Sequence, residues 1–320
     1  MELSRVASRR ISPEAYRRLA LLTVVSLIGL TVAGAAVRLT GSGLGCPKWP
    51  TCSTGHVVAP DQFHPAIEFA NRILTGVVSV AMALVALGAF LRVPRRRDLC
   101  WLGVGQVAGL MGEIVLGGVM VRHRLEPGFV MAHFLLSMLI VLDAVVLHHR
   151  ASWTDDRPPA AGVGRDVARL GRLVVVMVAA TLVAGTVVTG SGPHSGANSA
   201  DGRVRRWHLS LHQVTQVHGA AAMVTVALVA VTWWVLRAGP APTEVRRRLQ
   251  HLVEALSAQV AIGYTQYFSG VPALLVAFHV LGAVTVWVLA LRFALSLSPG
   301  DGPRQATGTR RASAPEPAPA

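Results

Sequence analysis

The sequence predicts an all-α integral membrane protein, with eight transmembrane helices forming two tandem four-helix bundles related by a pseudo-two-fold axis along the membrane normal. Three observations predict it. Of the 320 residues, 52% are hydrophobic and only 14% charged, and the mean hydropathy is +0.50, too apolar for an ordinary soluble domain. Eight stretches are long enough to cross a hydrocarbon core of about 30 Å at about 1.5 Å per residue. The polar positions of the first four stretches recur, at nearly the same spacing, in the last four.

The stretches run over 19–37, 67–91, 99–121, 128–147, 172–189, 210–236, 250–268 and 272–291. The first follows an Arg-rich start but, at 19 residues, is longer than the ~7–15-residue core of a signal peptide, so it reads as a retained helix. A net charge of +14 would suit nucleic acid, but its placement argues otherwise. If the N-terminus is cytoplasmic, 22 of the 30 basic residues fall on the inner side, among them Arg9, Arg10, Arg95 to Arg97, Arg165 and Arg246 to Arg248. That is the positive-inside pattern, and it sets both termini in the cytoplasm of a bacterial-type plasma membrane. The resulting segments are a cytoplasmic N-terminus (1–18), a first half (19–149), a cytoplasmic linker (150–171), a second half (172–295) and a tail (296–320). The tail has the Pro-, Ala-, Ser- and Arg-rich composition of disorder.

The repeat is read from GAAVRLTGSG (34–43) and GTVVTGSG (185–192) at the ends of the first and fifth stretches. Gly43 to Asn71 is 28 residues and Gly192 to His218 is 26; Asn71 to His133 is 62 and His218 to His279 is 61. Gly117 and Gly263 each precede their histidine by 16 residues, and the same offset pairs Glu113 with Gln259. Four helices return the chain to its starting side, so the two units are parallel, each with a site between its second and fourth helices toward the outer face.

An intramembrane histidine is costly unless it is paired or bound. His218 and His279 have the spacing to supply both axial imidazoles of a haem held between two helices, the bland alternative being helix-bridging hydrogen bonds. Zinc fits less well, because no third or fourth ligand accompanies them. The matching pair in the first half is Asn71 and His133, which leaves one strong axial ligand and an open or weakly held position opposite. His64 could substitute, although His64-Pro65 reads as a loop before the helix. Glu68 lies one turn before Asn71 and is either an i,i+4 partner of Arg72 or a carboxylate beside the reacting edge of a bound macrocycle. Glu113, the other acid taken as intramembrane, reads as an interhelical hydrogen-bonding position. In the outer loop, CPKWPTC brings Cys46 and Cys52 together in an oxidising compartment, so a disulfide is expected, with a redox-active thiol pair as the alternative. Cys100 reads as a small buried residue.

These residues, in this order, resemble the heme A synthase family. The resemblance rests on RLTGSGLGCPKWPTC (38–52), IEFANR (67–72), LGG (116–118), HF (133–134), TQVHG (215–219) and QVAIGYTQYFSGVP (259–272) followed by FH (278–279). It implies an eight-helix oxidoreductase that converts a methyl group of heme O to a formyl group, giving heme A for cytochrome c oxidase assembly. By the same resemblance, His218 and His279 ligate a haem b cofactor, and the first half holds heme O with His133 as ligand, Glu68 as the essential acid and Cys46 and Cys52 as the outer-loop pair. Heme O synthase and the oxidase assembly machinery are the implied partners, with an electron donor or acceptor unnamed, membrane lipid around the chain, no nucleic acid, and self-association left open. The family has His where this chain has Asn71, and Gln where it has Glu113. Two other classes compete. One is a non-enzymatic b-type cytochrome relaying electrons, which Glu68 beside a degenerate axial site speaks against. The other is a transporter with parallel repeats, which the scarcity of midplane helix breakers disfavours.

Overall fold

The protein is described here by a computed structural model covering residues 10–153, 163–198 and 204–297. These residues form eight helices and no strand: α1 (Pro13–Leu39), α2 (Phe63–Leu91), α3 (Arg97–Arg122), α4 (Pro127–Ala151), α5 (Arg165–Ser191), α6 (Leu211–Ala238), α7 (Thr243–Phe268) and α8 (Ala273–Leu295). Each of the eight predicted stretches lies on one of them. The helices overrun the apolar stretches because backbone hydrogen bonding continues past the hydrocarbon boundary until a cap or proline stops it. Ser12 caps α1 through the Ala15 N–H with Pro13 next to it, Ser210 caps α6 through the Gln213 N–H, and Pro127 opens α4. The N-terminal segment and the linker are accordingly partly helical, since α1 begins at Pro13 and α5 at Arg165. The expected tail also starts later than the composition indicated. Ser296 caps α8 and Leu297 is buried against Gly171, whereas 298–320 lie outside the described residues.

Seven of the helices are long and apolar enough to cross a membrane. The one that falls short is α7, whose first turns carry Glu244, Arg246, Arg247, Arg248 and Glu254, leaving a short uncharged run to Phe268. Inside the apolar helices hydroxyls need partners that lipid cannot give. Thr23, Thr31, Thr181, Thr225 and Thr232 each return a hydrogen bond to the carbonyl four residues back.

Packing follows a closed order. α1 touches α2 and α4, α2 touches α3, and α3 touches α4, whereas α2 and α4 stand apart on a diagonal; α5 to α8 pack likewise, with α6 and α8 apart. The two sets meet where α8 packs on α1 and α4, and where α4 packs on α5. Val141, Ala144 and Val145 of α4 and Val284, Trp287 and Leu291 of α8 fill that junction, and the buried Trp287 indole donates to the Met138 carbonyl at 3.0 Å. Close helix contact of this kind is what drives association where lipid is as apolar as leucine.

Candidate haem-binding sites

His218 lies eight residues into α6, and His279 seven residues into α8, which at about 1.5 Å per residue puts both about 10 Å from their helix starts. Their rings face each other across the α6/α8 diagonal with centroids 6.2 Å apart. Two metal–imidazole bonds of about 2.0 Å, plus about 1.1 Å from nitrogen to centroid in each ring, separate coaxial imidazoles by about 6 Å. The spacing therefore fits a metal between the rings. Nδ1 of His218 lies 3.1 Å from the Thr181 carbonyl, which takes up one ring nitrogen and leaves Nε2 for a ligand, as metal-bound histidines are usually held. His279 has no such partner; its Nδ1 is buried and unpaired among the described residues. Each ring packs against a glycine of a flanking helix. A Cβ added at Gly185 would sit 3.1 Å from Cε1 of His218, and one at Gly263 would sit 3.3 Å from Cε1 of His279.

The first half repeats part of this arrangement. His133, seven residues into α4, lies over Gly117, where an added Cβ would be 3.7 Å from its Cε1. Glu113 of α3 places a carboxylate oxygen against Nδ1 of His133, and the Ser137 hydroxyl donates to its other oxygen at 2.9 Å. Asn71, on the facing α2, has its side-chain oxygen buried without a partner among the described residues. A buried unpaired acceptor of this kind needs a reason, and an incoming ligand supplies one.

Glu68 is not an open acid. It is 5% exposed, and both oxygens are engaged: one accepts the Cys46 N–H at 2.7 Å, the other the Arg72 guanidinium at 2.6 Å. Arg72 goes on to donate to the carbonyls of Cys46, Lys48, Pro50 and Thr51. Glu68 and Arg72 together thus clamp the α1–α2 loop onto α2. Cys46 and Cys52 are disulfide-bonded within that loop, and the Trp49 ring seats on Gly118 of α3, next to the glycine under His133. His64 lies in the first turn of α2 rather than in a loop before it, and its Nδ1 is 3.0 Å from the Ser42 hydroxyl. It sits about two helical turns before Asn71 on α2. Cys100 is buried near the Ala89 carbonyl, as the sequence suggested.

Sequence reasoning missed Asp143, a third acid within the apolar helices, which accepts the Gln106 amide at 2.5 Å. The signal was there, a lone Asp in VLDAVV, but it has no repeat partner to draw attention to it. Also missed were Ser137 and Thr181, whose roles depend on which helix faces which.

The two sets are joined at the C-terminal ends of α1 and α5. Arg38, at the end of α1, donates to the carbonyls of Thr189 and His194, and the Gly43 N–H donates to the Gly196 carbonyl at 2.7 Å. Arg206 donates to the carbonyls of Gly192 and Thr189 from the other side.

Comparison with known proteins adds to this geometry. The model of the cytochrome oxidase assembly protein family matches residues 17–66 and 59–291. The chain is similar to proteins named heme A synthase from Bacillus licheniformis (25% identical over 135 residues, 42% of this chain and 44% of the relative), Lysinibacillus sphaericus (32% over 132 residues, 40% and 42%) and Shouchella clausii (30% over 144 residues, 44% and 47%). In each case the match spans less than half of the relative's length.

Proposed function

The chain belongs to the cytochrome oxidase assembly protein family, and on that premise we propose that it is a heme A synthase, an oxidoreductase that oxidises one methyl group of heme O to a formyl group. In this reading the protein is two four-helix halves, with a pseudo-two-fold axis running between α4 and α8. The reciprocal packing of α1 on α8 and α4 on α5 supports it. All eight helices cross the membrane, α7 with its charged turns at the cytoplasmic boundary, both termini are cytoplasmic, and the sites lie near the outer face. Handover from heme O synthase and delivery toward cytochrome c oxidase assembly follow from the same reading.

The observation that carries it is the pairing of one two-histidine site with one altered copy. His218 and His279, at 6.2 Å between centroids with the outer nitrogen of His218 on Thr181, would hold a resident haem b through its iron. When bound, that haem supplies one-electron transfer. The first half would hold heme O by His133, with Asn71 leaving room opposite. Glu68 keeps a fixed negative charge and a closed loop over that site, and its carboxylate, held by Arg72 and the Cys46 N–H, stabilises positive charge developing at the macrocycle edge better than it moves protons.

Haems extracted from cells that make heme O, with and without this protein, test the reading by mass. Heme A or its hydroxylated precursor should appear only with the protein. Unchanged heme O together with a bound b haem would instead establish an electron relay.

A further inference from the structure

The two halves differ most closely around their fourth-helix histidines. Glu113 and Gln259 occupy equivalent places on α3 and α7, yet their side chains do different things. Glu113 sets a carboxylate oxygen against Nδ1 of His133 and takes a hydrogen bond from Ser137. Gln259 donates through Nε2 to the backbone carbonyl of His279 at 2.8 Å, leaving both its own Oε1 and Nδ1 of His279 buried and unpaired among the described residues. The cause is visible on the facing helices. Gly282 lets the Gln259 amide slide along the α8 backbone, since a Cβ there would lie 2.0 Å from its oxygen, whereas α4 has Leu136 at the equivalent place and Ala283 is replaced by Ser137.

We propose that Glu113 is a positioning residue of the first-half site, holding His133 by Nδ1 so that Nε2 would be the one strongly donating nitrogen offered to a haem bound there. The proposal rests on the reading of the first half as a haem site. A carboxylate behind a metal-bound imidazole fixes its tautomer and orientation and raises its basicity. A neutral amide does this less, and Gln259 does not reach His279 Nδ1 at all. His133, backed by a carboxylate, would thus be the more strongly donating imidazole for a haem in the first half, whereas His218 and His279 would offer two imidazoles without a carboxylate behind them. Loss of histidine at Asn71 and gain of the acid at Glu113 belong to one change, from a saturated haem site to an open one.

The test uses the full chain reconstituted with protohaem. The first-half haem is identified as the high-spin component that His133→Ala removes. Glu113→Gln should lower the iron–histidine stretching frequency of that component in the ferrous state, move its midpoint potential positive, and speed haem loss about 10–100-fold, with Glu113→Asp restoring part of each. Gln259→Glu is the converse. A carboxylate cannot donate to the His279 carbonyl, and where it turns instead to the unpaired Nδ1 of His279 the second-half potential should move negative. If the high-spin component is present and Glu113→Gln leaves its frequency and potential unchanged, Glu113 is only a helix-bridging residue. If wild-type protein has no component that His133→Ala removes, it is the first-half haem site itself that fails.

Discussion

The two halves of this chain share a frame and differ in what they place inside it. Both set a histidine on their fourth helix against a glycine of the third, His133 on Gly117 and His279 on Gly263, and both keep their second and fourth helices apart. Around that frame the first half carries Glu68, Arg72, Asn71, Glu113, Ser137, Gln106 and Asp143. The corresponding places in the second half are Thr215, Gly219, His218, Gln259, Ala283, Leu252 and Leu289. At these places the second half has no ionisable group besides the imidazole pair, while the first has one histidine fewer and carries acids. On the proposed reading as two related halves, the shared residues report what both hold and the differing ones report where the chemistry lies.

Breaking that contrast gives the largest effects. Glu68→Gln should cut heme A formation by at least about 100-fold, because it removes the fixed charge on which the first half depends, while the second-half haem spectrum stays intact. Full activity in that variant would move the chemistry elsewhere. His279→Ala should do the reverse, abolishing the low-spin b-haem absorbance of the purified protein while leaving the first-half component.

A subtler change would restore symmetry rather than destroy it. Seven residues before Gly192 stands Gly185, the glycine under His218; seven before Gly43 stands Ala36. Asn71→His alone should therefore place an imidazole against a methyl group, whereas Asn71→His with Ala36→Gly should convert the high-spin first-half haem to a low-spin, two-histidine one with loss of product. A low-spin spectrum from the single variant would show that Ala36 does not matter.

The smallest effect is expected at the outer loop. Cys46→Ser with Cys52→Ser removes a short-loop crosslink worth about 2–3 kcal/mol, but Arg72 and the Trp49–Gly118 contact still hold the loop. Product formation should fall only a few-fold, with a lower unfolding midpoint. An outcome as severe as Glu68→Gln would favour a redox role for the thiols.

Much of this was legible in the sequence because it rests on periodic signals. Apolar length announced the helices, and the recurrence of His133 as His279 and of TGSG at 40–43 and 189–192 is what the proposed repeat rests on. α7 was harder, since its span overlaps charged turns that continue the same helix. Facing relationships were not legible. Nothing in the residue order says that Glu68 turns to the Cys46 N–H, that Glu113 reaches His133, or that Asp143 meets Gln106, because each depends on the rotation of one helix against the next. In the sequence His64 reads as loop because Pro65 follows it, yet proline in the first turn of a helix costs no hydrogen bond.

The stitch at the outer face also bears on how the chain is made. Arg38 leaves the ribosome about 150 residues before the carbonyls of Thr189 and His194 that receive it. Until α5 and its following loop have been inserted, that guanidinium stands at the membrane boundary without those acceptors. The first four helices are therefore not a finished product awaiting a second module. Their rim is completed only when α5 and the loop after it are in place.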